Sequence, residues 1–173
     1  MLQQIVVHTP VWVWVLLAFL IIRGVMSMRP GETSLAKLAI VPALFTAWSL
    51  WSISTRYGAS LEAWTLWLVG IAAGAGIGWL LLRRATLWVE ASTGTLWRSA
   101  DFSLLPLLLI TFLVKYGFEV ALAVLPSLLA DGGFRAAYML LTGLFTGIFI
   151  GKYCRYVRAS QRVASTGVVE LTG

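Results

Sequence analysis

The segment LVKYGFEV, residues 113–120, places a lysine and a glutamate four residues apart within a long apolar run. At this spacing Lys115 and Glu119 share one face of a helix, so their opposite charges can neutralise each other. A lone charge at the centre of a bilayer costs about 2.5–3.5 kcal/mol on insertion scales, so the pair is tolerated better than either member alone. Lysine before glutamate is the less favourable order for a local helix pair. This order favours a further partner, and the adjacent Tyr116 is a candidate.

Two interpretations of this candidate intramembrane polar site remain open. Ionisable residues inside a membrane commonly serve as relays, gates or counter-ions of a solute. A buried ion pair can instead fix the register of a helix against its neighbours. The sequence alone does not choose between these roles.

His8 is the only histidine, and Cys154 is the only cysteine. One histidine cannot supply the three or four ligands of a zinc site, and one cysteine excludes an internal disulfide or a multi-cysteine metal site. His8 could bind a ligand at the outer face or sense external pH, although such a residue is more often an interfacial polar anchor. We therefore predict neither a metal nor a cofactor.

Signatures of hydrolytic enzymes are absent from the chain. It contains neither G-x-S-x-G nor H-E-x-x-H, and the two aspartates, Asp101 and Asp131, fall in predicted loops rather than facing each other across two spans. We therefore expect no enzymatic activity.

The composition is that of a membrane protein. Of the 173 residues, 60% are hydrophobic and 12% are charged, with a mean hydropathy of +0.88. Soluble domains carry roughly a quarter charged residues. The net charge of +6 comes from basic residues at the ends of apolar segments. This placement indicates a lipid bilayer, and not nucleic acid, as the partner.

Apolar runs of about 20 residues, the length that crosses a bilayer, predict an all-α polytopic bundle of five transmembrane helices. We expect one integral membrane domain over residues 1–173, whose last part, residues 158–173, is a polar tail. Ser34, Ser60 and Ser103 are predicted N-caps. No Lys or Arg precedes the first run, so we expect it to be retained rather than cleaved as a signal peptide. The predicted spans are 10–28, 35–54, 62–82, 103–126 and 135–156.

Basic residues predict the orientation of these spans. Only Arg56 and Arg135 lie in the second and fourth connections. The positive-inside rule then places the N-terminus outside and the C-terminus in the cytoplasm. Six tryptophans are predicted to join an aromatic belt at the outer interface: Trp12, Trp14, Trp48, Trp51, Trp64 and Trp67. Ten basic residues lie on the opposite, cytoplasmic side: Arg23, Arg29, Lys37, Arg83, Arg84, Arg98, Lys152, Arg155, Arg158 and Arg162.

Between spans three and four, two short alternating runs flank the turn-rich ASTG and predict a small cytoplasmic β-hairpin at about 86–98. This hairpin either rests on the membrane surface or docks a partner. Two glycine stripes at four-residue spacing predict close helix packing, either with each other or across a homodimer interface. The stripes are Gly70, Gly74 and Gly78 in span three and Gly143, Gly147 and Gly151 in span five.

The segments HTPVWVW, RGVMSMRP, KYGFEVALAVLP and GLFTGIFIGK resemble an uncharacterised family of small five-helix inner-membrane proteins of proteobacteria. A more distant similarity, in the basic hairpin followed by a charged span, is to the CcdC-like membrane proteins. The resemblance implies a multi-pass protein of the bacterial inner membrane, and it brings no catalytic residue.

Two functional hypotheses follow from the sequence. In the first, the protein is a structural or accessory membrane component that forms a homodimer or docks onto a partner complex, and Lys115 and Glu119 fix its fold. In the second, it transports or senses a small solute or protons through these two residues and Tyr116.

Overall fold

The computed structural model describes residues 10–58, 60–82, 86–89, 96–166 and 168–170. Within these residues the chain forms five α-helices, a short 3-10 helix at Pro126–Leu129 and four short strands. The helices are α1 Val11–Ser27, α2 Leu35–Tyr57, α3 Leu61–Leu81, α4 Leu104–Val124 and α5 Gly132–Thr166.

Helices α2 to α5 are long and apolar enough to cross a membrane. The 21 residues of α3 extend over about 31 Å, which matches the hydrocarbon thickness of a bilayer. Helix α1 is equally apolar in character but shorter, with 17 residues. The helical class predicted from the sequence is confirmed, as are four segments of sufficient length to span a membrane.

Two of the three predicted N-caps are confirmed. Ser34 Oγ accepts a hydrogen bond from the N–H of Lys37, and Ser60 Oγ accepts one from the N–H of Ala63. The prediction for Ser103 is wrong, because its hydroxyl donates to Asp101 Oδ1 at 2.6 Å instead of accepting from the helix.

Helix α5 is longer than the sequence predicts. It begins at Gly132 and continues to Thr166, through much of the segment predicted as a polar tail at 158–173. No glycine or proline occurs between residues 152 and 166, so nothing in this stretch ends the helix. Hydropathy detects the apolar part of a helix, and α5 extends beyond that part.

The strands form one antiparallel sheet. Strands β2 (Thr86–Val89) and β3 (Leu96–Arg98) pair with Trp88 opposite Trp97, which confirms the predicted hairpin. The connecting residues 90–95 lie outside the described residues. Two further strands, β1 (Gly31–Glu32) and β4 (Val168–Glu170), extend the hairpin to a sheet of order β1-β3-β2-β4. Neither β1 nor β4 is joined to its partner strand by a short turn, so no hairpin pattern marks them in the sequence.

The chain divides into two compact units, each discontinuous in sequence. The two-helix unit comprises Met1–Arg29 and Ala100–Leu129, with α1 and α4. The three-helix unit comprises Pro30–Ser99 and Ala130–Gly173, with α2, α3, α5 and the sheet. The single integral membrane domain over residues 1–173 stays a prediction.

In the three-helix unit, the two glycine stripes bring α3 and α5 into backbone contact. A Cβ atom on Gly74 would meet the carbonyl group of Leu144 and lie 2.9 Å from the backbone nitrogen of Ile148. A Cβ on Gly147 would likewise lie 2.8 Å from the Cα of Ile71. The stripes therefore pack within one chain. A homodimer stays a prediction, and it requires a surface other than these glycines.

This contact predicts a difference between two neighbouring glycines of α3. Gly74→Ala places a methyl group against backbone atoms that cannot rotate away, so we expect it to lower the free energy of unfolding by at least about 1–3 kcal/mol. Gly76→Ala is the matched control, because a Cβ there meets nothing within 4 Å, and alanine favours a helix by about 0.5–1 kcal/mol. Thermal unfolding of the purified variants in detergent measures both effects. Equal stability of the two variants would contradict the contact.

Candidate functional site

Lys115 lies one residue beyond the midpoint of α4 and is 4% exposed. Leu108, Phe112 and Leu122 are also buried on this helix. They lie seven and three residues before Lys115 and seven residues after it, so all four side chains share one buried face of the helix. Its side chain is therefore covered by protein and does not face surrounding lipid. A buried charge of this kind requires compensation by other polar groups.

Glu119 is the candidate for this compensation. It lies one helical turn beyond Lys115, a spacing at which opposite charges share one face of a helix. Glu119 is half-buried, whereas Lys115 is buried. Tyr116 is also half-buried, and its ring stacks on that of Phe112 with centroids 5.9 Å apart and an interplanar angle of 5°. The structure thus brings the three predicted site residues onto two successive turns of one helix.

A polar clasp sets the register of α1 on α4 within the two-helix unit. The N–H of Asp101 donates to the carbonyl of Ser27 at 2.8 Å. Ser27 Oγ lies 2.6 Å from the carbonyl of Gly24 and 3.0 Å from that of Asp101, so its hydroxyl is shared between them. One turn away, Gly24 lies against Leu105, with space for no side chain of its own. Ser27 lies beside Asp101, and the earlier residue Gly24 lies beside the later residue Leu105, so the two helices run antiparallel. Because α4 is rigid, this clasp also fixes the height of Lys115 along α1.

The three-helix unit contains a buried polar cluster on three helices. The indole N–H of Trp67 donates to Ser49 Oγ at 3.1 Å, which joins α3 to α2. The hydroxyls of Ser49 and Thr146 lie 3.3 Å apart, which joins α2 to α5. Thr146 also hydrogen-bonds the carbonyl of Thr142 at 2.9 Å. Serine and threonine commonly link membrane helices in this way, so the cluster stabilises helix packing.

Trp67 corrects one prediction. It is 6% exposed and bonded inside the helix bundle, so it does not join an exposed aromatic belt. Trp51, by contrast, is 71% exposed, in agreement with a position at the interface. Sequence position alone does not distinguish these residues, because both lie close to a helix end.

Buried cations in the second half of α5 form a further feature that the sequence treats only as a topology signal. Lys152 is 4% exposed and Arg155 is 6% exposed. Arg155 Nη1 donates to the carbonyl of Trp79 at 3.2 Å, which joins α5 to the last turn of α3. Their spacing of three residues could have indicated a shared face, but burial could not be read from it.

The remaining predicted ligand residue, His8, lies outside the described residues. Within the part of the chain that the structure describes, no group of three or more His, Cys, Asp or Glu side chains is placed to hold a metal ion. Arg135 and Glu62, at the start of α5 and α3, form an ion pair with 3.1 Å between Nη2 and Oε2. This pair is partly exposed, so its contribution to stability is small.

The polar cluster predicts a stability change that depends on Ser49. Ser49→Ala removes the acceptor of the buried Trp67 N–H, and we expect the free energy of unfolding to fall by about 1–2 kcal/mol. Ser54→Ala, on the exposed side of the same helix, is the control and should have little effect. Thermal unfolding in detergent provides the measurement. In a Trp67→Phe background, which lacks the N–H donor, Ser49→Ala should lower the free energy of unfolding by less than it does in the wild type. An equal loss in both backgrounds would contradict the hydrogen bond.

Comparison with known proteins gives a family but no activity. The model of a family of unknown function, DUF6622, matches residues 1–166. Neither the curated proteins nor the solved structures contain a match. The match covers all five helices of the structure and the sheet except its last strand. The chain therefore belongs to the family of unknown function DUF6622.

Proposed function

We propose that this protein is a non-enzymatic structural or accessory component of a membrane, in which the Lys115–Glu119 pair fixes the fold of α4. The observation that carries the proposal is the burial of Lys115 on the stripe that α4 directs into the protein. A buried cation with its countercharge one turn away specifies a helix register, because any rotation of the helix would expose the charge to lipid.

The other polar groups of the helices support this role. Ser27 and Asp101 bind each other, and Ser49 accepts from Trp67. Each of these contacts joins two segments of the chain through protein atoms. Polar groups that are used for packing in this way favour a scaffold over a reaction site.

We further propose that all five helices span the inner membrane of a bacterium, with the N-terminus outside and the C-terminus in the cytoplasm. The asymmetry of basic residues between alternate connections supports this orientation. The sheet then lies on the cytoplasmic face. A partner membrane complex or a second copy of the chain is the proposed binding partner.

Transport or sensing of protons or a small solute is the second candidate. It is favoured by the decrease in burial along α4, since Tyr116 and Glu119 are both more exposed than Lys115. A path from the half-buried carboxylate of Glu119 to the buried ammonium group of Lys115 would be lined by the kind of polar groups that conduct protons or small solutes.

Charge-removing variants test the structural role. Glu119→Gln leaves the buried ammonium group of Lys115 without this countercharge, and we expect a loss of about 3–5 kcal/mol in the free energy of unfolding. Lys115→Met should lower the free energy of unfolding by less, because the half-buried carboxylate of Glu119 can still be hydrated. The double variant should recover most of the stability. Folded yield in the membrane and thermal unfolding in detergent measure these changes.

Lys37→Met and Glu32→Gln are matched controls, because both side chains are exposed and both changes remove one charge. A double variant that folds like the wild type, while a strain that carries it loses proton or solute uptake, would overturn the structural role and support the second candidate. A loss of stability in the double variant that equals the sum of the losses in the two single variants would contradict an interaction between Lys115 and Glu119.

Reporter fusions test the proposed orientation. We expect green fluorescent protein to fluoresce when fused after residue 173, because it folds in the cytoplasm, and alkaline phosphatase to be inactive there. Fusion after Gly58, in the second connection, should give the opposite result for both reporters. The reverse pattern would contradict the orientation.

A further inference from the structure

Trp79, two residues before the end of α3, has two guanidinium groups over its ring. The Cζ atom of Arg155 lies 5.4 Å from the ring centroid, and that of Arg158 lies 5.5 Å from it. Both distances fall within the range of a cation–π interaction. Lys152 precedes Arg155 by one turn on the same helix. These four residues, Trp79, Lys152, Arg155 and Arg158, are termed the Trp79 cluster.

The two arginines of the Trp79 cluster have different roles. Arg155 is buried and donates to the carbonyl of Trp79, one of the last carbonyls of α3. These carbonyls lack a partner within their own helix and carry the negative end of its dipole. Arg155 therefore caps α3. Arg158 is exposed, so its guanidinium group can bind a molecule from outside the protein.

Positive charge is concentrated around the cluster. Residues 151–162 carry four basic side chains and no acidic one. The end of a helix dipole offsets only roughly half an elementary charge. An anion that contacts Arg158 would relieve the repulsion between two guanidinium groups that one indole ring holds close together.

The surroundings of Trp79 favour a lipid as the source of this anion. Leu80 and Leu81 follow it directly and are exposed, as is Ile77 two residues before it. These side chains form an exposed apolar surface at the end of a helix long enough to cross a bilayer. Tryptophan and arginine at such a position lie at the level of the lipid headgroups.

We propose that the Trp79 cluster binds the phosphate group of an anionic phospholipid, whose acyl chains lie along the exposed end of α3. The inference rests on the proposed membrane-spanning role. Arg158 supplies the exposed fork of N–H donors, which matches two phosphate oxygens. Arg155 adds positive charge over the same indole ring, and Lys152 adds a further cation one turn earlier on α5.

Native mass spectrometry of the full chain released from lipid nanodiscs tests this site. The discs contain phosphatidylcholine with increasing fractions of phosphatidylglycerol, and the retained phosphatidylglycerol is counted. Arg158→Gln should weaken this retention about tenfold, as expected for the loss of a hydrogen bond between charged groups. Arg29→Gln is the control, because it removes one exposed cation from the same predicted side of the membrane, outside the cluster. It should change retention by about twofold or less.

Further variants and ligands distinguish the alternatives. Arg158→Lys keeps the charge but lacks the planar fork, so retention should lie between the wild type and Arg158→Gln. Equal losses in Arg158→Gln and Arg29→Gln would overturn the site in favour of diffuse attraction to an anionic surface. Displacement of the lipid by inorganic phosphate at millimolar concentration would also overturn it, because a soluble phosphate would then be the ligand.

Insertion into nanodiscs separates the failure of this inference from that of the proposed function. A protein that inserts and keeps its helical circular dichroism but shows no preference for phosphatidylglycerol contradicts the lipid site alone. A protein that does not insert contradicts the membrane-spanning role on which the site depends.

Discussion

The backbone contact between α3 and α5 is the constraint on which the three-helix unit depends. Glycines at four-residue spacing on both helices leave no side chain of their own at the points of contact, so the two backbones approach closely. Lipid gives little hydrophobic driving force for helix association, and close van der Waals contact must replace it. The same contact places the end of α3 beside Arg155, and the start of α3 beside Arg135.

Hydrogen bonds add specificity to this contact. Glycine stripes alone allow a helix to slide by one turn, because the pattern repeats every four residues. The bonds from Trp67 and Thr146 to Ser49 occur at one place and so select one register among α2, α3 and α5. In the two-helix unit, Ser27, Asp101 and Gly24 combine the same two elements, a close approach and a polar clasp. Small residues bring helices together in both units, and hydroxyl groups fix their relative position.

The sequence predicts the parts of this fold that depend on local pattern. Long apolar runs, serine N-caps, the alternating runs around ASTG and the glycine spacing each have a period or a residue preference that is readable without the structure. Ser103 was predicted wrongly because Asp101, two residues earlier, competes for its hydroxyl. The outer strands β1 and β4 were missed because their pairing joins segments more than sixty residues apart in sequence. Trp67 was placed in the belt because no local signal shows that Ser49 lies opposite.

The candidate site shows the same division between local and long-range information. The spacing of Lys115 and Glu119 gives their shared face, but only the packed structure shows that this face is buried. For Arg155, the sequence indicates only a charge near the end of the predicted fifth span. The structure shows that this side chain caps the carbonyl end of α3. These two cations therefore illustrate two ways to place a charge among apolar helices. Lys115 has a countercharge on its own helix, so its burial depends on which face α4 turns toward the protein. Arg155 is stabilised by the carbonyl end of a neighbouring helix, so its burial depends on the glycine contact, and it makes the charge a part of helix packing.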